Sequence, residues 1–134
     1  MEVMVRKARL ADIPAIVRLV AAHPETLLPR SEEEYRELLD TTWVAEIDGQ
    51  VVGSCVLEIY SPKIAELRSF VVQQEFRDRG VGREMAQAAV AEGERRNIRE
   101  ILVVTSSPEY FEKLGFGESL HEKYALFWQG KKER

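Results

Sequence analysis

The feature that most constrains the fold is a pair of apolar runs joined by a short polar turn. TWVAEI (residues 42–47) and VVGSCVLEIY (residues 51–60) stand on either side of DGQ. Apolar runs of this length around an Asp-Gly pair are typical of a β-hairpin. The chain therefore holds antiparallel strands near its middle, which excludes a purely helical fold and an all-parallel sheet.

The segments around this hairpin alternate between strand-like and helix-like patterns. In chain order we expect a strand at 3–10, helices at 12–22 and 31–40, the hairpin, a strand at 64–72, a helix ending near residue 97, a strand at 100–105, a helix at 107–116, a strand at 123–129 and a frayed tail. A hairpin-rich half followed by a βαβα half favours an α/β (α+β) fold. Its sheet is mixed and mostly antiparallel, with helices on both faces. The length of 134 residues fits a single domain, 1–134.

Capping residues mark where three of the helices begin. Asp12 is the expected N-cap of the first helix, and Ser31 and Glu34 have the spacing of a capping box at the start of the second. Ser107 is the expected cap of the last helix, with Pro108 in its first turn and Gly115 at its end.

Charge and cysteine content exclude several classes of function. Nineteen basic against 23 acidic residues give a net charge of −4, which disfavours nucleic acid as a partner. No apolar run reaches the length of a membrane span, and no secretory signal is visible. Cys55 is the sole cysteine and lies in an apolar run, so we expect a buried thiol and a cytoplasmic, reducing compartment. The two histidines, His23 and His121, lack metal-ligand spacing, so we expect no metal.

The segment EFRDRGVGRE (residues 75–84) stands between a strand-like and a helix-like run. Glycines before a helix suit a phosphate cradle, because helix N-termini offer backbone N–H groups and partial positive charge. A plain turn with solvated arginines explains the ten residues equally well. A P-loop needs Lys and then Ser or Thr after its second glycine, but Arg83 and Glu84 follow Gly82. A dinucleotide fingerprint needs a small residue where Met85 stands.

A family resemblance decides between these alternatives. The spacing Arg77-x-x-Gly80-x-Gly82 resembles the acetyl-CoA-binding signature of the GNAT superfamily of N-acetyltransferases. AELRSFVV (65–72) resembles the central strand before that signature, and YFEKLGF (110–116) resembles the family's later coenzyme-binding helix. A narrower resemblance joins LLPRSEEEYRELL (27–39), VAEIDGQVVGSCVL (44–57) and SSPEYFEKLGF (106–116) to the acetyltransferase domain of N-acetylglutamate synthases.

This resemblance implies acetyl-CoA as cosubstrate and transfer of its acetyl group to a primary amine, with the α-amine of an amino acid as the expected acceptor. The implied pyrophosphate site is mainly backbone, with the arginines secondary. Backbone groups of the central strand would pair with the pantetheine arm and polarise the thioester. The implied coenzyme-binding residues are Phe70, Val71, Val72, Arg77, Asp78, Arg79, Gly80, Val81, Gly82, Arg83 and Phe111.

The resemblance also implies two catalytic residues. Glu66 stands where many relatives place a carboxylate general base, and partial burial among apolar neighbours would raise its pKa toward neutrality. The leaving thiolate needs a proton, which many relatives take from a tyrosine at the position of Phe111 here. Tyr110 precedes it by one residue, which turns the side chain by roughly 100° on a helix. Tyr110 is the candidate acid, with solvent as the alternative.

Two arginines are the implied readers of an acceptor carboxylate. Arg30 matches the family arginine with this task, and Arg68 on the central strand is the alternative. Glu58 stands where glutamate-specific relatives are expected to have a lysine and would repel a glutamate side chain, so the acceptor need not be glutamate. The alternative is that strand alternation turns Glu58 to the opposite face. The rival hypotheses are a GNAT enzyme for a protein N-terminus, polyamine or other small amine, and a non-catalytic acyl-CoA-binding module. YALFW (124–128) suggests a homodimer by analogy with the superfamily.

Overall fold

The computed structural model describes residues 2–117 and 125–130, which fall into two compact units divided between Val104 and Thr105. The first unit holds a five-stranded sheet in the order β1-β2-β3-β4-β5. Its strands are β1 (Met4–Lys7), β2 (Thr42–Ile47), β3 (Gln50–Ile59), β4 (Ile64–Val72) and β5 (Glu100–Leu102). The first four strands pair antiparallel, and β5 pairs with β4 in parallel. The expected mixed, mostly antiparallel sheet is confirmed.

Among the described residues, three α-helices belong to the first unit and one to the second. They are α1 (Ile13–Ala21), α2 (Glu32–Glu37) and α3 (Val81–Arg95), followed by α4 (Pro108–Glu112). Three short 3-10 turns lie at Leu10–Asp12, Leu39–Thr41 and Gln74–Phe76. Within residues 2–117 and 125–130, no helix combines the length and the apolar character needed to cross a bilayer.

The helices of the first unit cover both faces of the sheet, as the sequence predicted. Ile16 of α1 and Tyr35 of α2 share one buried cluster with Val56 of β3. Cys55 is the next residue along the strand and therefore faces the other way. Its Sγ lies 4.0 Å from the backbone carbonyl of Met85 in α3. The α1/α2 face and the α3 face are thus opposite sides of β3.

A β-bulge in β4 shapes the sheet where the site lies. Ser54 pairs with Val71 and Val56 pairs with Arg68, so two residues of β4, Ser69 and Phe70, oppose the single Cys55 of β3. Ser69 has a φ of 52°, in the left-handed region that residues other than glycine rarely adopt. An extra residue of this kind bends a strand and redirects its side chains.

Several helix and strand predictions need correction. Asp12 stands at the N-cap of α1, but its carboxylate makes no cap hydrogen bond there; it accepts instead from Arg6 and from the Arg9 backbone N–H. Ser107 likewise precedes α4 without a side-chain cap bond. The fifth strand ends at 102 rather than 105, and α4 ends at 112 rather than 116.

The predicted last strand at 123–129 is wrong for its described part. Residues 125–130 have no regular secondary structure, and 123–124 lie outside the described residues, as do 131–134 of the expected tail. Leu126, Phe127 and Trp128 are exposed.

Candidate active site

Two carboxylates face each other across the hairpin of β3 and β4. Glu58 pairs with Glu66, and two residues further along β4 Arg68 pairs with Val56. Directly opposed residues share a face of the sheet, and so do residues two apart. Because Val56 belongs to the cluster under α1 and α2, the charged side chains of Glu58, Glu66 and Arg68 lie on the α1/α2 face.

Arg30 reaches Glu58 of this pair from the loop before α2. Its Nε donates to Ser69 Oγ at 2.8 Å, and its Nη2 donates to Glu58 Oε1 at 2.9 Å. Its Nη1 lies 4.0 Å from Glu34, and only 10% of its side chain is exposed. The Ser31–Glu34 capping box that fixes the adjoining helix end is present in full, as predicted. Arg30 is therefore a fixed cation rather than a solvated loop side chain.

Glu66 is mostly buried and has two partners on its own face of the sheet. Tyr60 Oη donates to Glu66 Oε1 at 2.6 Å, and Arg68 Nε lies 3.9 Å from Oε2. The Glu66 side chain is 15% exposed. Desolvation of the phenol and the hydrogen bond to Glu66 raise the pKa of Tyr60, which keeps it a donor at neutral pH. The structure thus places Glu66, Arg30 and Arg68 in one network.

Tyr35 and Tyr60 are members of this region that the sequence did not single out. Tyr35 is completely buried in α2, and its hydroxyl meets no donor or acceptor at hydrogen-bond geometry within the described residues. Burial raises the pKa of Tyr35, while the positive charge of Arg30 acts in the opposite direction. A tyrosine within a predicted helix is interpreted as a core residue, so the periodicity of the sequence gave no indication that Tyr35 lies near the site.

The glycine-arginine segment lies at the far end of β4. Asp78 and Gly80 both have positive φ, 63° and 82°, and Gly80 is the N-cap of α3. Alternation of this kind turns successive backbone N–H groups toward one side and forms an anion-binding concavity. The helix it opens runs for 15 residues, long enough to supply a full N-terminal dipole.

Two of the arginines in this segment have contacts with residues close to them in sequence. Arg77 Nε donates to the carbonyl of Val72 at 3.0 Å, which ties the loop to the end of β4. The guanidinium of Arg79 lies 5.7 Å from the centre of the Phe76 ring, a cation–π distance. Arg77 therefore holds the loop in shape, a role that the sequence did not predict.

Between Glu66 and the glycine-arginine segment, β4 offers backbone groups along one of its edges. In the described residues β5 pairs with β4 at three positions, the last being Glu66 with Leu102. The other edge of β4 stays paired with β3 as far as Val72. Val71 is buried, with its side chain in the cluster under α1. The parallel pair thus ends at the level of Glu66, before the bulge.

The second unit carries the predicted acid and its neighbour. Tyr110 is 42% exposed and Phe111 is buried. Their rings meet edge to face at 5.1 Å, and Phe111 meets Phe116 in the same way at 5.9 Å. Gly115 has a φ of 102° after the helix, as expected of a terminating glycine. The roles of Tyr110 and Phe111 stay predictions.

Cysteine and metal chemistry find no support in the described residues. Cys55 is fully buried, and burial raises the pKa of its thiol to about 12, which leaves no thiolate at neutral pH. Within residues 2–117 and 125–130 no three His, Cys, Asp or Glu side chains come together as a metal site.

Comparison with known proteins identifies the class. The family model described as "Acetyltransferase (GNAT) family" matches residues 12–116, and the chain belongs to this family. It is an acetyltransferase that uses acetyl-CoA, as the sequence motifs predicted.

Individual relatives are consistent with this assignment. An uncharacterised N-acetyltransferase of Chlorobaculum tepidum is 37% identical over 116 residues, covering 85% of this chain and 75% of its own. An amino-acid acetyltransferase of Mycobacterium tuberculosis is 29% identical over 119 residues, covering 86% and 68%.

Two solved structures share the fold. The Mycobacterium tuberculosis protein Rv2747 in complex with CoA and NLQ has a TM-score of 0.82 and 28% identity, over 86% of this chain and 72% of that one. N-acetylglutamate synthase from Neisseria gonorrhoeae, complexed with coenzyme A and N-acetyl-glutamate, has a TM-score of 0.78 at 23% identity, over 84% and 28%. The resemblance predicted from the sequence is confirmed.

Proposed function

We propose that this chain transfers the acetyl group of acetyl-CoA to the α-amine of a free amino acid. The observation that carries the proposal is Arg30, a nearly buried guanidinium fixed on Glu58, the residue that pairs with Glu66 across the hairpin. Its hydrogen bonds to Ser69 and Glu58 use two of its five N–H donors within the described residues, which leaves donors for a substrate carboxylate. An α-amino acid carries its carboxylate one carbon from its amine, which suits an arginine near a base. The name of the Mycobacterium tuberculosis relative is in agreement.

The coenzyme would lie along β4. The N–H groups around Asp78, Gly80 and Gly82 take the pyrophosphate, supported by the positive φ angles and the α3 N-terminus. The pantetheine arm then extends along β4 toward Glu66, beyond the last pair with β5. Glu66 precedes Val72 by six residues, roughly 20 Å of extended strand. One strand thus sets the distance between the anion site and the base.

The transfer removes two protons from the substrate nitrogen and supplies one to the leaving sulfur. Glu66 takes a proton from the ammonium group, and the neutral amine attacks the thioester carbonyl. The C–N bond forms, the C–S bond breaks, the electron pair leaves on sulfur as a thiolate, and the nitrogen loses its second proton to solvent. Tyr110 or solvent protonates this thiolate. A general base of this kind contributes about 10²–10⁴ in rate.

Thiol release from acetyl-CoA, measured across amino acids, peptides and polyamines, tests the proposal. We expect turnover with free amino acids, and a fall in kcat of about 10²–10⁴ in Glu66→Gln, part of it recovered at high pH where the amine deprotonates unaided. Acetyl-CoA binding by the variant stays unchanged, which separates lost chemistry from lost coenzyme.

Two other outcomes would contradict this function. Turnover confined to polyamines or peptide N-termini would support the rival acceptors, which the acidic residues beside Arg30 could serve. Acetyl-CoA binding without thiol release from any amine would support a non-catalytic module. Full activity of Glu66→Gln would remove Glu66 as the base while leaving the amino-acid assignment intact.

Compartment and assembly complete the proposal. A lone buried cysteine suits a reducing compartment, and we place the protein in the cytoplasm. The exposed side chains of Leu126, Phe127 and Trp128 would be covered in a homodimer. Sedimentation at several concentrations tests this assembly, and a monomer at high micromolar concentration would contradict it.

A further inference from the structure

Glu58 contacts both of the arginines that are proposed to bind the acceptor carboxylate. Its Oε1 lies 2.9 Å from Arg30 and 3.4 Å from Arg68. One carboxylate oxygen therefore bridges the two cations that would otherwise attract an acidic substrate. Its side chain is one quarter exposed, so solvent screens it only in part.

Without a substrate, the four charges at the centre of the network sum to zero. Arg30 and Arg68 supply two positive charges, while Glu58 and Glu66 supply two negative charges. Glu34, 4.0 Å from Arg30, adds a further negative charge at the edge. A zwitterionic α-amino acid with an uncharged side chain adds no net charge to this balance. Glutamate or aspartate adds one negative charge to a group that is already net negative once Glu34 is counted, which is repulsive.

We propose that the acceptor is an amino acid with an uncharged side chain, and that Glu58 is the residue that rejects acidic side chains. This rests on the proposed function. Selection of this kind depends as much on repulsion of the wrong substrate as on attraction of the right one. Glu58 acts on substrate binding through charge, so its effect falls on KM and Kd rather than on kcat.

Glutamine and glutamate form the appropriate probe pair, because they differ by one charge and hardly in shape. Equilibrium binding to the protein saturated with coenzyme A is measured by calorimetry, alongside kcat/KM from thiol release. We expect the wild type to prefer glutamine by about tenfold at low salt. In Glu58→Gln we expect the preference to fall by about tenfold, and in the wild type 0.5 M salt reduces it.

Two further variants complete the test. Glu37→Gln makes the same change on the exposed side of α2, where the glutamate has no part in this network, and leaves the preference unchanged. Arg68→Gln removes a positive charge instead, and we expect it to strengthen the rejection of glutamate. It tests the same electrostatics should Glu58→Gln fail to fold.

Two results would overturn the proposal. One is a wild-type preference for glutamate with Glu58 in place; the other is a ratio within twofold of wild type in folded Glu58→Gln. Failure of the proposed function gives a different result, namely no thiol release with any amino acid. The ratio of glutamine to glutamate binding would still report on the role of Glu58 in that case. Amino-acid turnover with an unchanged ratio rejects the role of Glu58 and keeps the function.

Discussion

At the scale of single residues, Arg30 shows how context converts a common side chain into a binding group. Its sequence setting, a loop arginine before three glutamates, fits a solvated surface charge equally well. Burial to 10% exposure and bonds to Ser69 and Glu58 hold it in one position. Glu58 was predicted as a residue that repels an acidic substrate, and its place as a partner of Arg30 gives that repulsion a location.

Gly80 has a φ of 82°, a left-handed backbone conformation that is strained in any residue with a side chain. No atom lies within 4 Å of the position that a Cβ would take, so Gly80→Ala introduces strain without a clash. The left-handed conformation costs roughly 1–2 kcal/mol in an L-residue. We expect lower thermal stability and about a tenfold rise in KM for acetyl-CoA, as the first N–H groups of α3 lose their alignment.

Gly49 provides a matched control for this substitution. It has a φ of 80° and the same open space, but it lies in the turn between β2 and β3. Gly49→Ala should lose similar stability in thermal unfolding and leave KM for acetyl-CoA unchanged. Equal KM values in the two variants would show that the Gly80 conformation has no part in coenzyme binding.

At the scale of elements, the capping box at the start of α2 connects helix formation to the site. The Glu34 backbone N–H donates to Ser31 Oγ at 3.1 Å, and the Ser31 N–H donates back to the Glu34 side chain at 2.9 Å. Arg30 directly precedes this cap, so the cap fixes the direction from which its side chain enters. Helix α2 has six residues and depends on such bonds more than a long helix does.

Ser31→Ala is therefore expected to affect both stability and substrate binding. Loss of an N-cap serine costs about 1 kcal/mol. We also expect a rise of a few fold in KM for the amino acid, with KM for acetyl-CoA unchanged, because only the acceptor side depends on Arg30. Thermal unfolding and steady-state kinetics measure the two effects.

Ser107→Ala is the control for the cap. Ser107 also stands at a helix N-cap, yet its side chain makes no cap bond, so its replacement should change neither stability nor KM. A loss of stability in Ser31→Ala without any change in KM for the amino acid would show that the cap stabilises α2 but does not position Arg30 for substrate binding.

Local rules predicted those elements whose signal lies within a few residues. The DGQ hairpin, the Ser31–Glu34 box and the glycine segment before α3 all depend on neighbours in sequence. The bulge at Ser69 and the Tyr60–Glu66 bond could not be predicted this way, since they depend on strand register and on residues meeting across a hairpin. Asp12 shows the converse, a correct cap position whose carboxylate is drawn to Arg6.

At the scale of the molecule, Glu92 joins distant segments of the sheet unit. It lies in α3, with Arg95 and Arg96 at 2.7 and 2.8 Å and Lys7 of β1 at 3.6 Å. Arg96 also forms an ion pair with Asp40, which precedes β2, at 2.8 Å. Hydrogen bonds from the two arginines lower the pKa of the nearly buried Glu92 from 4.5 to about 2. Its stabilisation is therefore present above pH 4.5 and lost as pH falls toward 2.

Glu92→Gln should lower the free energy of unfolding at pH 7 by about 1–2 kcal/mol, because hydrogen bonds to charged partners are lost while the exposed Arg95 is well screened. Glu94→Gln, two residues along on the exposed side of α3, is the control and should have little effect. Urea unfolding between pH 7 and pH 2 measures both. The difference in free energy of unfolding between wild type and Glu92→Gln should narrow below pH 4.5, because protonation then removes the negative charge that the glutamine lacks at every pH. A gap that stays constant to pH 2 would mean that Glu92 stabilises the fold by packing rather than by charge.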